Sequence, residues 1–384
     1  MKTKVTDRVL FVGIGGGNDV FSTILAALSL WQMGWRWKSC SLAGVLSPFH
    51  HHDVVGLTTL PGVSCVWSNS KRKVVRRDKE FEIGFVDACV AKLVAEQTPV
   101  LAQEVFGLSL REGSEGVTQT FKLLAEEFDY FVLVDVGGDC FYRGKEDTHV
   151  LSPMFDALVI RGFVDSGVPG ILFEAGPGTD GELEVEALEQ VLSQIATESY
   201  QLQSEAVNEW EKLYKQCIEP VRTGNTVPTT IQAFRCQEEF MVRPYSARAH
   251  IGTARFYSKF EQRIKTSLCR QVFLLDPARI RNPFAVKCIS PFDWFMQTQV
   301  ARQRTNCEAN LEYTSYGGDL CQFLTPSPLF PEYERKLIIQ YGLSDLRHAT
   351  CDSVLMFPSD LTTALDGFWV TEMFPKGLCK VVRA

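Results

Sequence analysis

The sequence predicts an α/β protein built on a doubly wound, mostly parallel sheet. Three observations carry that expectation. Short apolar runs alternate with helix-spaced apolar patterns through the first half of the chain. The runs are apolar throughout rather than alternating, as in strands covered on both faces. Three of them stop in glycine-rich acidic loops that lead into the next segment, the arrangement of repeated βα units.

Val9-Leu10-Phe11-Val12 is the first such strand, and it ends in Gly13-Ile14-Gly15-Gly16-Gly17-Asn18-Asp19. Asn18 or Asp19 is expected to cap a helix whose apolar positions are Val20, Ile24, Leu25, Leu28 and Met33, with Gly34 as its stop. Ser39 to Leu46 and Val63 to Trp67 read as strands, Gly84 to Ala95 as a helix, and Val100 to Leu108 as extended. A helix from Gly116 to Glu127 precedes the clearest strand, Tyr130-Phe131-Val132-Leu133-Val134, which ends in Asp135-Val136-Gly137-Gly138-Asp139. A helix near Pro153 to Asp165 leads to the strand Gly170-Ile171-Leu172-Phe173. That strand ends in Glu174-Ala175-Gly176-Pro177-Gly178-Thr179-Asp180-Gly181-Glu182. Leu183 to Leu213 reads as two consecutive amphipathic helices, and Val272-Phe273-Leu274-Leu275 as one more strand. Residues 1–220 are therefore expected to form a Rossmann-like domain bearing the loops. Residues 221–384 are expected to form an α+β extension or lobe that completes the fold.

Composition narrows the function classes. Apolar residues make up 45% of the 384, enough for a full core. The net charge of −7 gives no electrostatic reason to expect nucleic acid or an anionic membrane as partner. The one basic cluster, Lys71-Arg72-Lys73 with Arg76 and Arg77, is answered by Asp78, Glu80 and Glu82 and reads as a solvated loop. No run approaches the roughly 18 apolar residues of a membrane helix, and no signal peptide opens the chain, so a cytoplasmic location is expected. The 12 cysteines contain no CxxC pair and are expected to be free and mostly buried. Trp31, Trp35 and Trp37 read as core or a helix-end contact rather than a stacking platform. The expected partners are a small-molecule ligand and, at most, further copies of the chain.

Ligands of open parallel sheets bind outside the carboxyl ends of the strands, so the three loops are expected on one edge. In the first, Gly15, Gly16, Gly17, Asn18 and Asp19 are candidate binding residues: glycines expose backbone N–H groups, and a helix N-terminus favours an anion. The loop lacks the Gly-Lys-Ser/Thr ending of a P-loop. It meets the GxGxxG fingerprint only in part, with Asn18 where a third glycine belongs. The second strand also lacks a terminal acid for a ribose, which makes NAD and S-adenosylmethionine weak candidates. In the second loop, Asp135 and Asp139 flank Gly137 and Gly138, and carboxylates so close need a cation, a hydroxyl or a proton between them. In the third loop Glu174, Asp180 and Glu182 are candidates, against the plainer expectation that Thr179 or Asp180 only caps a helix. His50, His51 and His52 follow the second strand; His50 and His52 would share a face, and one histidine could move a proton. His149, Arg143, Lys145 and Glu146 lie near the second loop in sequence. No GxSxG elbow or HExxH occurs.

Three ordered motifs resemble those of a domain-of-unknown-function family found mainly in prokaryotes. They are Gly15-Gly16-Gly17-Asn18-Asp19, then Asp135-Val136-Gly137-Gly138-Asp139 followed by Ser152-Pro153-Met154-Phe155-Asp156, then Gly178-Thr179-Asp180-Gly181-Glu182. The resemblance covers Val9 to Ile195 and implies a Rossmann-like fold; it implies no activity. Asn18 and the histidines after the second strand depart from its usual pattern.

The expected function is an enzyme acting on a small polar metabolite that carries phosphate, carboxylate or ribose, by hydrolysis or group transfer. Asp139, Asp135, Asp180 and His51 are the candidate catalytic groups, and Asp135 and Asp139 the metal ligands if a divalent cation takes part. A nucleotide- or S-adenosylmethionine-dependent transferase and a non-catalytic ligand sensor or scaffold are the alternatives.

Overall fold

The computed structural model describes residues 5–15, 18–46, 54–55, 59–60, 63–66, 71–76, 79–83, 86–96, 104–110, 113–143, 147, 150, 153–218, 226–242, 262–282, 337–340, 364–365, 369–370 and 380–383. In chain order the elements are β1 (Val5–Gly13), α1 (Asp19–Gln32), β2 (Arg36–Val45), β3 (Val54–Val55), β4 (Thr59–Leu60), β5 (Val63–Val66), β6 (Lys71–Arg76), β7 (Lys79–Ile83), α2 (Val86–Glu96), β8 (Val105–Leu108), α3 (Gly113–Leu124) and β9 (Tyr130–Val136). There follow α4 (Pro153–Ser166), β10 (Gly170–Ala175), α5 (Val185–Ile195), β11 (Ala196–Gln201), α6 (Ser204–Leu213), α7 (Thr226–Arg235), β12 (Phe240–Val242), β13 (Gln262–Ile264), the short α8 (Thr266–Cys269) and β14 (Gln271–Leu275).

Nine strands form one sheet in the order β11-β14-β10-β9-β1-β2-β8-β5-β4. The five central strands, β10-β9-β1-β2-β8, are parallel, and the margins on both sides are antiparallel. The chain builds from β1 through β2 to β8 and then returns to place β9 on the other side of β1. That reversal makes the gap between β1 and β9 the switch point, where open α/β sheets bind their ligands.

Both faces are covered, as uninterrupted apolar strands require. Phe11, Val132, Val134, Phe173 and Ala175 pack against α1, α2, α6 and α7. Leu10, Val12, Phe131, Leu133 and Leu172 pack against α3, α4 and α5. Phe131 lies edge-on to Phe121 (5.6 Å), Phe163 (6.2 Å) and Phe128 (6.4 Å), geometry that adds about 0.5–1.5 kcal/mol per pair beyond area burial. Trp210 stacks on Phe21 at 5.6 Å, and its indole N–H donates to the Phe21 carbonyl at 3.2 Å, so the buried polar atom is satisfied. Trp35 and Trp37 are core residues, with Phe11 and Trp31 set edge-on to Trp37.

Some local expectations are corrected. The two consecutive helices expected over Leu183 to Leu213 are separated by β11, whose Thr197 and Tyr200 suit an edge strand pairing with β14. Lys71 to Arg76 of the basic cluster are not a loop: they form β6, paired with β7 in a register that sets Lys73 opposite Glu82, while Arg77 and Asp78 lie outside the described residues. Asn18 occupies the position before α1, yet its side chain makes no capping bond. Strand β14, from beyond residue 220, pairs within the main sheet against β10.

Among the described residues no helix is long and apolar enough to cross a membrane. Of the described cysteines Cys40, Cys140 and Cys269 are buried and form no disulfide. Burial pushes the thiols of Cys40 and Cys269 up to about 12, which leaves them unreactive at neutral pH.

Candidate active site

The second and third loops owe their arrangement to strand register. In the parallel pairing of β9 with β10, Asp135 stands beside Glu174. Along β9 Val132, Val134 and Val136 serve one face of the sheet, so Asp135 serves the other. Phe173 and Ala175 likewise leave Glu174 on that second face. Two carboxyls therefore lie side by side among apolar neighbours, with Asp135 1% and Glu174 0% exposed. Among the described residues no N–H or O–H is aligned on any of their oxygens. Cys140 stands with them, its sulfur within 4.8 Å of an oxygen from each.

Five more carboxyls join them. Asp19, in the first turn of α1, and Asp156, in the first turn of α4, each bring an oxygen to Asp135, all three atoms lying within 4.8 Å of one another. Asp139, Asp180 and Glu182 form a second trio at the same spacing. Asp135, Cys140 and Glu174 form a third set.

Glycines make this crowding sterically feasible at two points. A Cβ on Gly15 would stand 2.1 Å from Asp19 Oδ2 and 2.9 Å from Asp156 Oδ1. Gly137, at φ +127°, approaches Asp180 so closely that a Cβ would stand 2.9 Å from its Oδ2. The loops are tied together through backbone bonds from Gly137 N–H to the Ala175 carbonyl and from Gly178 N–H to the Gly137 carbonyl. Thr179 anchors the third loop to α7 through Thr230, at 2.7 Å between hydroxyls.

Electrostatically the cluster is self-repelling. Burial first, then Asp156, Asp135, Asp180 and Glu182, hold the Asp139 carboxyl well above its ordinary range. Burial and Asp135 do the same for Glu174, and burial with Asp135 for Asp19, against one lowering bond from the Gly15 amide. Asp180 is pushed up to about 7 by burial, moderated by backbone N–H donors that include Glu182 at 3.0 Å.

Of the residues marked in the sequence, Asp19, Asp135, Asp139, Glu174, Asp180 and Glu182 meet at this edge, with Gly15, Gly137 and Gly138 forming the turns between them. The caps considered for Thr179 and Asp180 are not made: α5 begins only at Val185, and the residue before it is Glu184. The Gly15 amide is engaged by Asp19. Gly16, Gly17, His50, His51, His52, Lys145, Glu146 and His149 lie outside the described residues. Arg143 forms an ion pair with the buried Asp147.

Two acids were not singled out from the sequence. Asp156 stood in a quoted motif without a role; its signal was a lone carboxylate one turn into a helix that follows an acidic loop. Asp87, in the first turn of α2, lies where a Cβ on Gly44 would meet its Oδ1 at 3.0 Å, which puts an acid beside the end of β2 although that strand carries none.

A family model described as "Protein of unknown function (DUF1152)" matches residues 10–257. No curated protein and no solved structure matches the chain. Because the family match runs from within β1 past β12 and takes in all three acidic loops, the chain belongs to this family of proteins of unknown function.

Proposed function

We propose that the protein is an enzyme that acts on a small polar metabolite by hydrolysis or group transfer at the carboxylate cluster. The observation that carries this reading is the convergence of seven carboxyls beside the β1–β9 switch point, with Asp180 pushed up to about 7. A carboxyl in that range both holds and releases a proton near neutral pH, as general acid–base chemistry needs. Carboxyls kept apart in proton affinity by their surroundings divide the acid and base roles between them.

In this reading Asp180 and Asp139 exchange protons with the reacting group and an attacking water. Asp135 and Glu174, fixed by strand register, orient hydroxyls of the substrate. A ribose or another polyol suits such a ring of acceptors. A phosphate or carboxylate would need a cation between itself and the cluster, because the charges that weigh most on these acids are each other's.

The test is a turnover screen of the full chain against phosphorylated, ribose-bearing and carboxylate metabolites, run beside Asp139→Asn. The expected result is activity in the wild type that Asp139→Asn abolishes, with a nearly unchanged melting midpoint. Full activity in Asp139→Asn overturns the assignment. So does a ligand held tightly and recovered unaltered after long incubation, which identifies a sensor.

A further inference from the structure

We propose that Asp19, Asp135 and Asp156 bind a hard divalent cation, Mg²⁺, Mn²⁺ or Ca²⁺, at the carboxyl ends of β1 and β9. One oxygen from each lies within 4.8 Å of the other two, a spacing that lets all three reach a single ion placed between them. The three arrive from separate elements, the first turn of α1, the end of β9 and the first turn of α4. Gly15 keeps open the space across which Asp19 and Asp156 approach.

Acidic neighbours alone would not make a site. The independent observation is the state of Asp135 and Glu174. Both are essentially fully buried, and none of their four carboxyl oxygens is met by an aligned donor among the described residues. A carboxylate buried with no aligned donor is costly unless a counter-charge meets it. A cation beside Asp135 compensates it and also offsets the repulsion among Asp19, Asp135 and Asp156.

The donor set decides the class of metal. Three carboxylates are hard oxygen ligands and suit Mg²⁺, Mn²⁺ or Ca²⁺. Cys140 lies near Asp135 and Glu174 but belongs to a different trio, so a thiol-preferring ion such as Zn²⁺ would select other neighbours. This inference concerns binding and stands apart from any turnover. An enzyme that proves inactive on every substrate would leave it intact.

The experiment uses the full chain stripped with EDTA and dialysed. Mn²⁺ alone is titrated and read by electron paramagnetic resonance, followed by competition with Mg²⁺ and Ca²⁺. We expect saturable Mn²⁺ binding that Mg²⁺ or Ca²⁺ displaces. Asp19→Asn should weaken it by at least about tenfold, and Asp135→Asn should abolish it. In EDTA, Asp135→Asn should also melt higher than the wild type, since an amide of the same shape offers N–H donors to the carboxyl oxygens around it; a residue that only held the loop together would melt lower. No Mn²⁺ binding by the wild type at millimolar metal overturns the proposal. So does unchanged binding in both variants. If Asp135→Asn does not fold, Asp19→Asn, at a half-buried position, decides the matter.

Discussion

The two ends of β1 and β9 treat acidic residues in opposite ways. At the amino end, Asp129 accepts from the Arg8 backbone N–H (3.0 Å) and from its guanidinium Nε (3.1 Å) and terminal nitrogen (3.0 Å), while the Asp129 N–H donates to the Arg8 carbonyl. The Arg8 hydrogen bonds hold Asp129 below its ordinary range. Beyond the carboxyl ends of these strands, Asp19 and Asp135 meet Asp156, while Asp139 meets Asp180 and Glu182. Burial and mutual repulsion hold Asp19 and Asp139 well above their ordinary range. The amino end is a self-contained, solvent-exposed clasp of the kind that contributes little to stability. The carboxyl end is left electrostatically incomplete, and it sits where the topology directs a ligand. An ion pair closed within the chain neutralises itself; a cluster of like charges is relieved only by protons or by a counter-charge.

Substitution at the crowded end should have the largest effect. Gly137→Ala forces a Cβ into a backbone at φ +127° and within 2.9 Å of Asp180. We expect it to cost about 1–3 kcal/mol in urea denaturation and to abolish any activity. Gly167→Ala is the matched control: it has positive φ (+70°) but nothing within 4 Å of the added carbon. It should cost only the left-handed penalty of about 1–2 kcal/mol. Equal losses from the two would mean that crowding by Asp180 is unimportant.

The next effect is on pH dependence. Folding raises the proton affinity of Asp180, Glu174, Asp19 and Asp139 above that in the unfolded chain. Their contribution is fully present below the ordinary carboxylate pKa and is lost as pH rises; for Asp180 the window runs from 3.8 to about 7. In EDTA, therefore, the melting midpoint should fall between about pH 5 and about pH 8. Asp129 and Glu211, both held low by basic partners, act with the opposite sign and only at more acid pH, where protonation breaks their pairs. A midpoint that climbs over this interval would remove the contrast between the two ends.

The smallest effect belongs to the clasp. Arg8→Ala should shift the midpoint least of the three, and less again at high salt, because exposed pairs are screened. A shift as large as that of Gly137→Ala would make the amino end the more demanding of the two.

The strand-to-helix punctuation was legible because it is local. Gly34 at φ +91° ends α1 as its position suggested, and the runs at Val9, Tyr130 and Gly170 became the parallel strands that carry the loops. The candidate site was legible as three separate acidic loops. Their meeting follows from parallel connectivity, which the alternation of strands and helices already implied. What local pattern missed was long-range. An amphipathic stretch over Leu183 to Leu213 contained β11 because its partner, β14, lies some seventy residues away. The run at Val272 gave no sign that it would pair antiparallel to β10.

The amino-acid sequence by itself determined which residues are acidic, which turns are glycine-rich and which strand ends bear them, since those properties depend on residue chemistry and short-range backbone preference. Only the tertiary structure decided that Asp135 and Glu174 stand side by side on the same face, that Asp156 reaches them from α4, and that the Gly15 amide is engaged by Asp19. Those facts hang on sheet register and on which helix packs over which strand. Both are set by burial of the whole core, and a slip of one residue would have turned either acid to the opposite face.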